Sequence, residues 1–110
     1  MEARRRRIAE NEARFRLINE QLRRSLDGLP LEDEPIEFVC ECGEAECATP
    51  LVLPLADYER VRADPVHFAV LPGHEKPDAE DVVERNDAFF VVAKRRPPGE
   101  SVALATDLRA

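Results

Sequence analysis

Between Glu2 and about Asp27 the chain has neither proline nor glycine, and Ile8, Phe15, Ile18, Leu22 and Leu29 recur at spacings of three, four and seven. That pattern predicts one apolar stripe along a long amphipathic helix, residues 1–28. Glu12 with Arg16 and Glu20 with Arg24 are acid-before-base pairs at i,i+4, each adding about 0.2–0.5 kcal/mol, and Asp27-Gly28 supplies the stop. Ile8, Asn11, Phe15, Ile18 and Leu22 also fit alternating a and d positions, where an asparagine fixes the register of a coiled-coil pair. The stripe therefore has two destinations, a second copy or the protein's own sheet.

Residues 29–35 combine two prolines with an acidic triplet, Glu32-Asp33-Glu34, and read as a linker. Beyond it, residues 36–96 predict a small, mostly antiparallel α+β domain. Ile36 to Cys40 reads as a strand, Glu41 to Glu46 as a tight turn, and Pro50 to Leu55 as an edge strand interrupted by Pro54. Asp57 is the expected N-cap of a short helix to Ala63, with Tyr58, Val61 and Arg62 on its buried side. His67 to Leu71 alternates as a third strand, and Pro72-Gly73 turns the chain. Val82 to Arg85 and Ala88 to Lys94 form a hairpin through Asn86-Asp87. The run Ala88 to Ala93 is apolar on both faces, so it belongs to a central strand covered on each side, with the N-terminal helix as one cover. Residues 97–110 open on Pro-Pro-Gly, lack periodicity and predict a flexible tail.

A domain of this size buries only about 60% of the surface its unfolded chain exposes, so a metal or a partner helix is a reasonable source of extra stability. Charge is divided unevenly. Residues 1–28 carry +3 and the remainder −10, within a total of −7. The body repels nucleic acid and anionic membrane, and only the leading segment with Arg4 to Arg7 attracts either. No apolar stretch approaches the ~18 residues of a membrane span, and the early arginines lead into a polar helix, which predicts a cytoplasmic protein.

The chemistry is concentrated in Cys40-Glu-Cys42-Gly-Glu-Ala-Glu-Cys47, a C-x-C-G-x3-C arrangement with all three cysteines of the chain in eight residues. Side chains at i and i+2 of an extended segment share a face, so the thiols of Cys40 and Cys42 can close on one ion. Gly43 offers the permissive dihedrals that reverse the chain and return Cys47 to the same point. Three local thiolates need a fourth ligand for a closed tetrahedral site, and the chain has two imidazoles, His67 and His74. His74 is favoured because it follows the Pro72-Gly73 turn, whereas His67 sits within a strand pattern; His67, an Asp, a water or a partner's ligand are the alternatives. Zn2+ is the expected metal, since a Cys3His set suits it and a single ligand cluster is visible. The competing readings are small buried hydrophobes or a disulfide, and neither suits three clustered thiols in a reducing compartment.

The cysteine spacing and its glycine resemble the post-SET zinc motif of histone methyltransferases, in which three cysteines hold zinc and the last ligand comes from elsewhere. Nothing else in the chain resembles a SET domain, so the likeness implies local metal geometry and no methyltransferase activity. A broader likeness spans roughly residues 8–95. Asn11-Glu12 and Phe15-Arg16 on a helix, the Phe38-Val39-Cys40-Glu41-Cys42 knuckle, Tyr58 to Pro65, Phe68, Pro72-Gly73-His74 and a closing Val-Val-Ala-Lys strand are similar to a group of small uncharacterised actinobacterial proteins. That resemblance implies a shared fold with Cys40, Cys42, Cys47 and His74 at metal positions. The chain lacks a Ser or Thr ahead of the Tyr58 helix.

An enzyme is disfavoured: a closed zinc site has no open position, and no phosphate loop or nucleophile motif is present. Glu41, Glu44 and Glu46 flank the thiols, and negative neighbours raise thiol pKa values, against nucleophilic cysteine chemistry. The expected function is a non-catalytic zinc-binding regulatory or adaptor protein, with a protein partner or a homodimer formed through the N-terminal helix. The alternatives are a nucleic-acid accessory factor using the arginine cluster, and a redox or zinc sensor whose oxidation releases the metal.

Overall fold

A computed structural model describes residues 2–47, 49–94 and 97–109. Met1, Ala48, Ala110 and the Arg95-Arg96 pair that closes the predicted domain lie outside the described residues. The proline-free lead forms helix α1 (Glu2–Ser25). It packs along β1 (Pro35–Val39) and along a helix at the far end of the chain, α3 (Gly99–Ala105). Its buried stripe is Ile8, Glu12, Phe15, Asn19 and, half-buried, Leu22, a 4-3-4-3 progression in which two members are polar. Arg16 and Glu20 are buried beside them. Ile18 and Leu29, which the apolar pattern places inward, are 44% and 50% exposed. Hydrophobicity alone misses the true stripe because Glu12 and Asn19 meet polar partners from distant segments.

The strands form two antiparallel sheets instead of one. β1 pairs with β2 (Pro50–Pro54) in the register Phe38 with Leu51, and α2 (Leu55–Arg62) follows immediately. Asp57 lies inside the first turn of α2; the N-cap is Pro54 and has no side-chain cap, so the helix starts three residues earlier than its sequence signal. Tyr58, Val61 and Arg62 form its buried side as expected. The second sheet has the order β3 (His67–Val70), β5 (Phe90–Ala93), β4 (Asp81–Arg85). Asn86 shapes the hairpin, its side-chain oxygen accepting from the N–H groups of Ala88 and Phe89. A bulge between Val82 and Glu84 interrupts the β4 register.

Alternation along the central sheet divides the core. Ala69 and Val91 face a cluster with Phe38, Leu51, Leu53, Tyr58 and Val61, where Phe38 and Tyr58 stack with centroids 4.3 Å apart. Phe68, Val70 and Val92 face Cys40, Cys42 and Ala103 of α3. β5 is thus central and covered on both faces.

The predicted tail is the largest departure. α3 buries Ala103, and Arg16 of α1 donates to the Ala103 carbonyl at 2.7 Å, the Pro65 carbonyl at 2.6 Å and the Thr106 hydroxyl at 3.0 Å. Arg109 bridges Glu20 and Glu59. A seven-residue helix with scant periodicity gives no signal of its own; polar anchors on α1 hold it in place.

Candidate metal centre

Asn19 sets the entry to the knuckle. It mimics a neighbouring strand, with Oδ1 accepting from the Val39 N–H at 2.9 Å and Nδ2 donating to the Val39 carbonyl at 2.8 Å. The extended chain continues through Cys40, whose N–H donates to the Thr49 carbonyl, and Glu41, whose N–H donates to the Ala69 carbonyl, both at 2.8 Å. Extended geometry turns Cys40 and Cys42 to one side and Glu41 to the other. Glu41 is fully buried: Oε2 accepts from Tyr58 and Asn19 at 2.9 Å each, and Oε1 accepts from the Ala69 N–H at 3.0 Å. Burial, and then the Glu41 charge, push the Tyr58 phenol upward, so it remains a donor.

Gly43 is required for space and not for a left-handed backbone. A Cβ there would lie 2.5 Å from Ile8 Cγ2, and the positive-φ glycines are Gly28 and Gly73. Asn11 and Arg14 of α1 donate to the carbonyls of Gly43 and Ala45 at 2.8 and 3.2 Å, so the helix grips the knuckle at three points. On the opposite side, Gly73 at φ 92° turns the chain after β3 and delivers His74.

His74 Nδ1 lies 3.6 Å from Cys40 Sγ and 3.5 Å from Cys47 Sγ. One ligand atom from each of Cys40, Cys42, Cys47 and His74 lies within 4.8 Å of all the others. A tetrahedral ion with sulfur at ~2.3 Å and nitrogen at ~2.05 Å has S···N edges of about 3.6 Å, so the observed separations fit such an ion. His67 is excluded from this group: it stands at the start of β3 with Nε2 3.3 Å from Asp64. All three cysteines are free thiols.

The electrostatics differ from those expected of a glutamate-ringed site. Glu41 points into the core, and exposed Glu44 pairs with Lys76, which holds its carboxyl below the ordinary range. Hydrogen bonding from Cys40, resisted by burial and aided by the Glu44 N–H and by His74, lowers Cys42 to about 5. Cys40 is pushed up, first by that same hydrogen bond and then by burial, while the Leu71 N–H, 3.1 Å from its sulfur, opposes the rise. A bound cation would displace thiol protons from the pair.

No known protein family, curated protein or solved structure matches this chain. The four potential ligands and their separations fit a metal ion.

The arginine cluster is divided by the fold. Arg4 pairs with Asp78 and Arg5 is half-buried, leaving Arg6 and Arg7 exposed. Sequence reasoning also missed a buried charge cluster built on Glu12 of the same α1 stripe. Lys94 Nζ lies 2.8 Å from Glu12 and 2.9 Å from Glu80, all three side chains being at most 1% exposed. Burial pulls Lys94 down, but the two carboxylates outweigh it and hold the ammonium above its ordinary value. The signal for Glu41 was present in its position between two same-face cysteines of a strand. That for Lys94 was not, because its partners are 82 and 14 residues away in the chain.

Proposed function

We infer that the chain is a non-catalytic zinc protein of the cytoplasm that acts by docking another protein. One observation carries this reading: three sulfurs and one imidazole nitrogen, drawn from segments 27 or more residues apart at their extremes, converge within 4.8 Å. Cys3His suits Zn2+ above the oxygen-preferring cations, and a closed set of protein ligands suits a structural ion. Cys40 and Cys42 would hold it from the knuckle, Cys47 from the turn and His74 from the β3 exit. Bound zinc would supply cross-linking of the knuckle to β3, and it would leave no site for a substrate. The reduced thiols suit a reducing compartment.

The test is metal content by native mass spectrometry and elemental analysis, on protein purified without added metal or chelator. One zinc per chain is expected, falling to none in Cys47→Ser. A metal-free chain that is folded, or a full complement of metal in Cys47→Ser, overturns the reading.

A further inference from the structure

α1 and α3 leave an open groove of about 560 Å³ between them, lined by Ala13, Leu17, Val102, Ala105 and Leu108, with Glu10 and Arg14 at its edge. Leu17 and Leu108 are more than 40% exposed, and Ile18 and Leu104 stand exposed nearby. Two large exposed leucines facing one groove of so small a protein mark a contact surface.

The charges around the groove specify what it contacts. At 100° per residue, Arg6 and Arg24 project along the same face of α1 as Ala13 and Leu17, with Arg7 and Arg14 along its other edge. Arg6, Arg7 and Arg24 are exposed and have no ion-pair partner among the described residues. This cationic rim belongs to a chain whose net charge is −7, and Glu2 and Glu10 are the exposed acids on the same face.

A second copy is a poor occupant. The α1 residues that line the groove run from Glu10 to Leu17. A twofold antiparallel pairing of two α1 helices centred there sets Arg6 against Gln21 and Arg24 against Ala3, so neither arginine gains a carboxylate, and a parallel pairing sets every arginine against itself. Like charges so placed oppose association. Nucleic acid is also poorly matched, because the groove floor is aliphatic and the body behind it is acidic.

We propose that the groove between α1 and α3 receives an acidic amphipathic helix from a partner protein, its apolar face on Leu17 and Leu108 and its carboxylates on Arg6, Arg14 and Arg24. Helix-in-groove recognition uses apolar anchors at i, i+3, i+4 and i+7, and the 18 positions from Arg6 to Arg24 span about 27 Å, five turns of the incoming helix. The inference rests on the docking function proposed above.

The test is fluorescence anisotropy of the intact, zinc-loaded chain with two labelled 20-residue helical peptides. Both carry the same leucine stripe; one has glutamate and the other lysine at the flanking positions. The acidic peptide is expected to bind at least tenfold more tightly. Leu17→Glu and Arg24→Glu are each expected to weaken it at least fivefold, with the Arg24 variant also reducing the salt dependence. Val52→Glu, on an exposed position of β2, is the control and should change nothing. Unchanged zinc content and thermal midpoint establish that each variant is folded. Equal affinity for both peptides, no binding of either, or binding indifferent to Leu17→Glu overturns the proposal. So does a dimer in sedimentation that Leu17→Glu dissociates, which makes a second copy the occupant, or tighter binding of a single-stranded RNA that competes with the peptide. Zinc with no acidic-peptide binding removes the groove and spares the metal reading; peptide binding by a zinc-free chain does the reverse.

Discussion

Gly43 shows how closely the knuckle is fitted to α1. Its missing side chain is the space occupied by Ile8, which is itself 5% exposed. Gly43→Ala forces backbone of the knuckle away from a helix core position, an overpacking cost of about 1–3 kcal/mol. Ile8→Ala alone is expected to cost about 2–5 kcal/mol through the cavity it leaves. Combined, the two changes share one volume, so the double variant should lose less than the sum of the singles in urea denaturation. Agreement with additivity to within about 0.5 kcal/mol would mean the two residues do not press on each other. Glu12 makes a different prediction. Burial first, then the hydrogen bond and charge of Glu80, raise its carboxyl well above the ordinary 4.5, with Lys94 opposing them. The folded chain thus keeps this proton to higher pH than the unfolded chain does. Its favourable contribution is complete below the ordinary carboxylate value and is lost as pH rises toward the folded one. Glutamine cannot titrate, so Glu12→Gln should gain on the wild type with rising pH, by at most about 1.4 kcal/mol per pH unit. Urea midpoints of both proteins from pH 5 to pH 8 measure this, and a constant difference across that range contradicts it.

Helix α3 contributes through polar anchors more than through apolar area. Removing residues 97–110 withdraws the Ala103 carbonyl and Thr106 hydroxyl from Arg16, a guanidinium that is only 2% exposed and lies 4.6 Å over the Phe68 ring. Hydrogen bonds to charged groups are worth about 1.5–3 kcal/mol, so the truncated chain is expected to lose at least ~2 kcal/mol of stability. A tail that touched nothing would leave the thermal midpoint unchanged, which is the contrary result. The same helix explains what the chain's pattern of residues could and could not disclose. Periodicity located α1, the β4–β5 hairpin and α2, because each has enough apolar residues at a fixed spacing to declare its period. It located the four residues that converge, because two same-face thiols, a glycine and a third thiol leave few other uses, and because Pro72-Gly73 marks where a ring can leave a strand. It failed for Ile18, for the start of α2 and for α3. For Ile18 and α3 the deciding contacts are between charged or amide side chains and backbone groups far away in sequence, such as Asn19 with Val39 or Arg16 with Ala103, and at the start of α2 the Ala56 N–H donates to the distant Glu32 carbonyl. The apolar pattern contains no record of them.

The candidate metal site, helix and sheet meet at one place, and their coupling follows from the contacts. The knuckle is held by α1 through Ile8, Asn11 and Arg14, by β3 through the Glu41-Ala69 pairing, and by the Leu71 N–H on the Cys40 sulfur. A bound ion adds the link from Cys40, Cys42 and Cys47 to His74. Withdrawing the ion leaves two buried sulfurs and a third without their common partner, and the turn from Gly43 to Cys47 then has its helix contacts and the Glu44–Lys76 pair to order it. Loosening should pass to the partners it touches. Chelation of the metal is therefore expected to speed backbone amide exchange in three separate segments: residues 40–47, residues 71–74 and the half of α1 that includes Asn11 and Arg14. The cluster of Leu51, Leu53, Tyr58 and Val61 keeps its own apolar contacts and Glu41's hydrogen bonds, so its amides should stay protected. Hydrogen exchange read by mass spectrometry, with and without a chelator, distinguishes this from its rivals. Exchange confined to residues 40–47 would show that the ion orders only its own loop, and that the α1 groove is independent of it. Loss of protection throughout would mean instead that the ion holds the entire fold. The intermediate pattern is expected because the two apolar clusters lie on opposite faces of the central sheet, and only one of them contains the sulfurs.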